Sequence, residues 1–291
     1  MKKILISLFL CGIILAMFGC SDNPDITDSQ NSIVMTERPQ YIETRPPAVV
    51  ESHTLKTTMA AYKKPTPPPP PPDTLDEDPN PNPAHKYAYI VGISDYEGTA
   101  NDLQYCDDDA VEMKALLQGE GFTVRMDLDG NATADNIDAG LQWLIDQASP
   151  GDEIAFCYSG HGTKYTTYGS CIISADLYLM THGYVMQYFN AVNCTKKLMT
   201  LDACVIGDFH LDVMSGTVMA TASTNTSSYD VPAFENGAWT YFFLEGANEQ
   251  GLIFAEAVAS YAEVEMKAWA KVYHLRVSPK HTDLYEGMFD M

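Results

Sequence analysis

Residues 153–162 read EIAFCYSGHG, and residues 198–204 read LMTLDAC. Each opens with an apolar run too short for an ordinary helix and suited to a strand buried on both faces. Each then ends in residues that can do chemistry: Ser159 and His161 after the first, Asp202 and Cys204 after the second. A third run of the same kind, Tyr87–Ile93, reads YAYIVGI. Between these runs the apolar spacing becomes helical. Asp107–Leu117 puts Ala110, Met113, Leu116 and Leu117 on one face and is stopped by Gly119 and Gly121. Thr133 caps a second helix with the stripe Ile137, Leu141, Leu144, Ile145 and Ala148. Gly183–Val192, Trp239–Gly246 and Ala255–Ala270 also read as helices, and Phe122–Asp127, Cys171–Ser174 and Thr217–Thr221 as strands. Strands alternating with helices specify an α/β domain: a mostly parallel central sheet covered by helices on both faces, in three layers. Ligands of such sheets meet the carboxyl ends of the strands, so His161 and Cys204 are expected on one rim.

This pattern fills residues 86–291, and the sequence before it is of another kind. Residues 1–19 hold Lys2 and Lys3 followed by a mostly apolar run to Phe18, too short for the roughly 20 residues of a membrane span. They read as a secretory signal. Its end, Met17-Phe18-Gly19-Cys20, resembles a bacterial lipobox, which implies cleavage before Cys20 and acylation of that cysteine. The Ser21 that follows resembles outer-membrane sorting, with the head in the periplasm or at the cell surface. Residues 20–85 have no hydrophobic period and contain the unbroken run Pro67–Pro72. Such a run forms an extended polyproline helix and builds no core, so the segment reads as a disordered stalk between a membrane anchor and a head.

Composition narrows the function. The 291 residues carry 39 Asp+Glu against 17 Lys+Arg, a formal charge of −22, and 46% are hydrophobic. The apolar content excludes a wholly disordered chain. The acidity excludes nucleic-acid binding by phosphate neutralisation, which needs a basic stripe, and favours cationic partners.

His161 and Cys204 are 43 residues apart, close to the roughly 50 between histidine and cysteine in caspase-type sequences. The segments YAYIVGISDYEGTANDLQYCDDDAVEM, EIAFCYSGHG, LMTLDAC and ENGAWTYFFLEG resemble the caspase-like cysteine peptidases, and the metacaspase branch above all. The resemblance covers about residues 86–250. It implies a caspase-like three-layer sandwich and hydrolysis of peptide bonds. The chemistry agrees: a thiol of ordinary pKa near 8.5 is a weak nucleophile until a base takes its proton. An imidazole can do so and later protonate a leaving amine. Cys204 is thus the candidate nucleophile and His161 the candidate acid/base. The resemblance further implies an oxyanion site at the backbone N–H groups of Gly162 and Cys204. It also implies an acidic pocket of Asp109, Asp202 and Ser159 that takes an Arg or Lys side chain. The chain departs from the family at Val205-Ile206, where a His-Ser pair is usual, and this bears on substrate fit.

Of the seven cysteines, Cys106, Cys157, Cys171, Cys194 and Cys204 belong to the head; five is odd, so at least one thiol stays free. No zinc or EF-hand motif is present. Many metacaspases hold calcium with scattered carboxylates, and the resemblance admits Ca2+ here without assigning ligands. Two other functions stay open on sequence: a catalytically inactive, peptide-binding head, and a clostripain- or legumain-like peptidase or transpeptidase.

Overall fold

A computed structural model describes residues 78–166 and 168–291. The expected signal segment 1–19, the acylated Cys20 and all of the stalk before residue 78 lie outside the described residues. Among those described, no helix is long and apolar enough to cross a membrane.

The three apolar runs form β1 (Lys86–Gly92), β3 (Glu153–Ser159) and β7 (Lys196–Asp202). With β2 (Thr123–Leu128), β8 (Thr217–Thr221) and β11 (Lys280–Asp283) they make a six-stranded sheet of order β11-β8-β7-β3-β1-β2. Every pairing is parallel except β11 with β8, and β9 (Asp230–Val231) and β10 (Asn236–Gly237) pair antiparallel in a separate two-stranded sheet. The helices are α1 (Cys106–Gly119), α2 (Ala134–Gln147), α3 (His182–Ala191), α4 (Ala238–Asn248) and α5 (Ala255–Val272). The Thr133 hydroxyl caps α2 by accepting the Asn136 N–H at 3.3 Å.

Period-two alternation divides the core between the two faces. Tyr89, Val91, Phe156 and Tyr158 pack with Ile137, Leu141 and Phe189, under α2 and α3. Ala88, Ile90, Ala155 and Cys157 pack with Met113, Phe242 and Trp269, under α1, α4 and α5. These are the expected three layers. The chain leaves β1 toward β2 and then returns to place β3 on the other side, so the strand order reverses between β1 and β3, where ligand crevices open.

One expected strand lies elsewhere. Cys171–Ser174 falls in β5 (Gly169–Ile173), which joins β4 (Gly162–Tyr165) and β6 (Leu179–Thr181) in a separate antiparallel sheet. It follows β3 after a short turn and so runs out from the rim. A crossover long enough to re-enter the parallel sheet is missing. Residues 78–85 pack on the head: the Asn80 side chain donates to Gly151 O at 3.0 Å, and His85 N–H to Asp152 Oδ1 at 3.0 Å.

Candidate active site

Ser159 and Asp202 are partners at the last register position of β3 and β7. His161 and Cys204 each follow two residues beyond the ends of these neighbouring strands, which lie about 4.8 Å apart. The Gly160 N–H donates to Asp202 O at 3.1 Å and carries the pairing past the strand ends. A β-carbon on Gly162 would lie 2.3 Å from the Cys204 carbonyl oxygen and 3.0 Å from the Cys204 nitrogen. Only glycine lets the imidazole-bearing and sulfur-bearing loops approach this closely. The Gly162 and Cys204 backbones, the expected oxyanion site, are therefore in contact.

The His161 ring is oriented by residues that no motif announces. Its Nε2 lies 2.7 Å from the Asn101 carbonyl oxygen. A carbonyl only accepts, so in the neutral ring Nε2 carries the proton and Nδ1 the lone pair. Tyr96 packs against the imidazole with ring centroids 4.8 Å apart, and its hydroxyl accepts the His161 N–H at 2.7 Å. The Tyr158 hydroxyl donates to the His161 carbonyl at 2.7 Å. Cys204 Sγ accepts the Ser228 N–H at 3.3 Å, a contact that favours the thiolate over the thiol. Imidazole and sulfur are both buried.

The expected acidic residues come together beside them. Asp109, in the first turn of α1, accepts the Ser159 hydroxyl at 2.6 Å, the Gly237 N–H at 2.9 Å and the Asn236 amide at 3.1 Å. Asp202 accepts the Thr240 N–H at 3.0 Å, the Thr240 hydroxyl at 3.1 Å and the Ser228 hydroxyl. A β-carbon on Gly237 would lie 2.4 Å from Asp202 Oδ2 and 2.8 Å from Asp109 Oδ2, so both carboxylates flank one point. Burial, and next the charge of Asp202, push the Asp109 carboxyl well above its usual range, against the pull of the Ser159 hydroxyl. Burial also raises Asp202, opposed by the Ser228 and Thr240 donors.

A third carboxylate, Asp230, is one that sequence reasoning missed. It accepts the Gln104 N–H at 3.0 Å and lies 4.0 Å from Cys106 Sγ. Burial raises it to about 7, helped by the charge of Asp202. Among the described residues no lysine or arginine pairs with these three aspartates. Arg125 is occupied on the outer strand, where it donates to Ala139 O at 2.9 Å. The site therefore holds clustered buried acid, hydrogen-bonded by neutral groups and lacking a cation.

The departure at Val205-Ile206 resolves into two roles. Ile206 is fully buried in the core under α2 and α3. Val205 takes a left-handed backbone, φ 49°. The five head cysteines are all buried, and among the described residues none is joined to another in a disulfide. Among the described residues, no three His, Cys, Asp or Glu side chains gather as a metal would require.

A parallel sheet clad on both faces, with an imidazole and a thiol at the carboxyl ends of adjacent strands, defines an α/β sandwich of the caspase-like class. The chain belongs to the caspase-domain family, whose model matches residues 85–267. It is 35% identical over 107 residues to metacaspase-2 of Trypanosoma brucei brucei, covering 31% of this chain and 30% of that one. It is 34% identical over 114 residues to metacaspase-4 of Arabidopsis thaliana, covering 33% of this chain and 27% of the relative. The matches thus span about a third or less of these relatives. A crystal structure of protein GSU0716 from Geobacter sulfurreducens shares the fold, with TM-score 0.53 and 16% identity over 69% of this chain and 94% of that one.

Proposed function

We propose that the head is a cysteine endopeptidase cutting peptide bonds after Arg or Lys. The observation that carries the reading is the Nε2–Asn101 hydrogen bond on an imidazole whose neighbour Gly162 abuts the Cys204 backbone, because it leaves Nδ1 as the basic nitrogen. His161 takes the Cys204 proton, and the sulfur attacks the scissile carbonyl carbon. The oxyanion that forms is held by the N–H groups of Gly162 and Cys204, donors worth roughly 2.7–4 kcal/mol each in such sites. His161 then protonates the leaving amine, and water, deprotonated by the same ring, hydrolyses the thioester. Asp109 and Asp202, with the Ser159 hydroxyl, take the basic side chain. A guanidinium suits two carboxylates flanking one point because it can pair in bidentate fashion.

The test is turnover by the full-length chain of peptides ending in Arg, Lys, Asp or Asn before the scissile bond, beside Cys204→Ala. Turnover after Arg and Lys, absent from the variant, is expected. Efficient cleavage after Asp and none after Arg overturns the pocket assignment. Peptide binding without turnover selects the inactive binding head, and products carrying an added amine select transpeptidation. Attachment of the chain to a membrane through Cys20 is part of the same proposal. Incorporation of labelled palmitate, lost in Cys20→Ala, is the expected result.

A further inference from the structure

The turn that follows the nucleophile is held from two sides. On one side, the N–H groups of Val205, Ile206 and Gly207 each donate at 3.0 Å to the carbonyls of Thr226, Ser223 and Thr224. On the other side stands Ser170, fully buried in β5. Its hydroxyl donates to the Val205 carbonyl at 2.7 Å and accepts the Asp208 N–H at 3.2 Å. Its own N–H donates to Asp208 Oδ2 at 2.9 Å. Asp208 Oδ1 in turn takes the Lys164 ammonium at 2.6 Å. Lys164 is the register partner of Ser170 across β4 and β5, the hairpin that starts at Gly162, next to His161.

We propose that Ser170, braced by Asp208 and Lys164, is a positioning residue that clamps the turn carrying Cys204 to the hairpin that extends from His161. The proposal rests on the catalytic reading of that pair. Val205 occupies a left-handed conformation that β-branched residues avoid, and such strain persists only where surrounding contacts hold it. Relaxing it would rotate the peptide joining Cys204 to Val205. The oxygen of that peptide is the one packed against Gly162. The clamp therefore fixes the sulfur and the Cys204 N–H relative to the imidazole and the Gly162 N–H.

The test uses the full-length chain. Active sites are counted by titration with a peptidyl electrophile that labels Cys204, and kcat is expressed per titrated site. Ser170→Ala is expected to lower that kcat by about 10- to 100-fold, as a misplacement near 1 Å does. KM stays within about twofold, since the lost interaction acts on the transition state. Asp208→Asn, which keeps an oxygen for the Ser170 N–H but loses the charge pair with Lys164, falls between wild type and Ser170→Ala. A merely structural serine would instead reduce the number of titratable sites and leave kcat per site unchanged. That result, or a change confined to KM, overturns the proposal. If Ser170→Ala titrates no sites, Asp208→Asn decides: kcat per site equal to wild type overturns the clamp. A wild-type chain without turnover overturns the catalytic reading and this one with it, whereas an active wild type with an unaffected variant overturns the clamp alone.

Discussion

The two ends of β3 and β7 carry buried charge in opposite ways. At their amino ends Glu153 and Lys196 are register partners, both fully buried, with the ammonium 3.2 Å from Glu153 Oε2. The same ammonium reaches Asp78 Oδ2 at 2.8 Å and Asp290 O at 2.5 Å, and Phe289 lies beneath it. There the strap at residues 78–85 and the C-terminus meet around one neutralised cluster. Six residues up the same strands, Asp202 with Asp109 and Asp230 forms a cluster of one sign, and among the described residues no lysine or arginine pairs with it. Burying charge without a partner costs several kcal/mol, and burial accordingly raises the pKa of all three carboxyls. The neutralised end is architecture. On the proposed reading, the other end receives the substrate's cationic side chain.

The largest effect that could break this contrast is at the reacting pair. Cys204→Ala or His161→Ala should lower kcat/KM by roughly 10⁴-fold or more while the thermal midpoint holds, because such residues act as a unit. Next comes the architectural end. Lys196→Met removes the ammonium that Glu153 and Asp78 share and should destabilise the chain by about 3–5 kcal/mol in urea unfolding. Turnover per titrated site should stay at the wild-type value. Asp202→Asn should do the reverse. Loss of a charged hydrogen-bond acceptor, worth about 1.5–3 kcal/mol, lowers kcat/KM for Arg peptides by roughly 10- to 100-fold. Stability is unchanged or higher, because a buried unpaired charge has gone. If Asp202→Asn destabilises as much as Lys196→Met, the distinction between the two ends collapses.

The sequence announces one end of this contrast and hides the other. The central strands were legible because burial on both faces forces continuous apolar runs. The rim residues were legible because Ser159, His161, Asp202 and Cys204 follow those runs directly, and Asp109 opens the helix after β1. Tyr96, Asn101 and Ser228 were not, since they act through packing, a backbone carbonyl and a backbone N–H over long chain separations. Asp230 was hidden for the same reason: its neighbours, Gln104 and Cys106, lie more than a hundred residues away. β11, KHTD, carries no apolar period because an edge strand protects itself with polar and charged side chains. Asp78 belongs by composition to the proline-rich stretch, and long-range contacts with Lys196, the Tyr285 hydroxyl and the Asp290 N–H tie it to the head.

The smallest effect concerns pH, and it separates binding from stability at the rim. Burial raises Asp230 from 3.8 to about 7, and Glu153, at the other end, from 4.5 to about 7 against the opposing pull of Lys196. Across that window the folded chain retains protons that the unfolded chain has already released. Stability is therefore fully present near the unfolded values and falls as pH rises toward 7. Asp78, Asp208 and Glu263 are lowered instead, Asp78 and Asp208 by lysine pairing and Glu263 by Lys267 and His281, each against burial. Their contributions are lost only on further acidification. Urea midpoints between pH 4 and 7 should fall with rising pH, and Asp230→Asn should flatten that slope. Binding runs the other way. Asp109 must be ionised to pair with a cationic side chain, and its carboxyl is held well above the usual range. KM for Arg peptides should therefore rise as pH drops below neutral, while the midpoint of the unliganded chain climbs. A KM and a midpoint that move in the same stabilising direction on acidification would mean that the aspartates at the rim do not receive the substrate's charge.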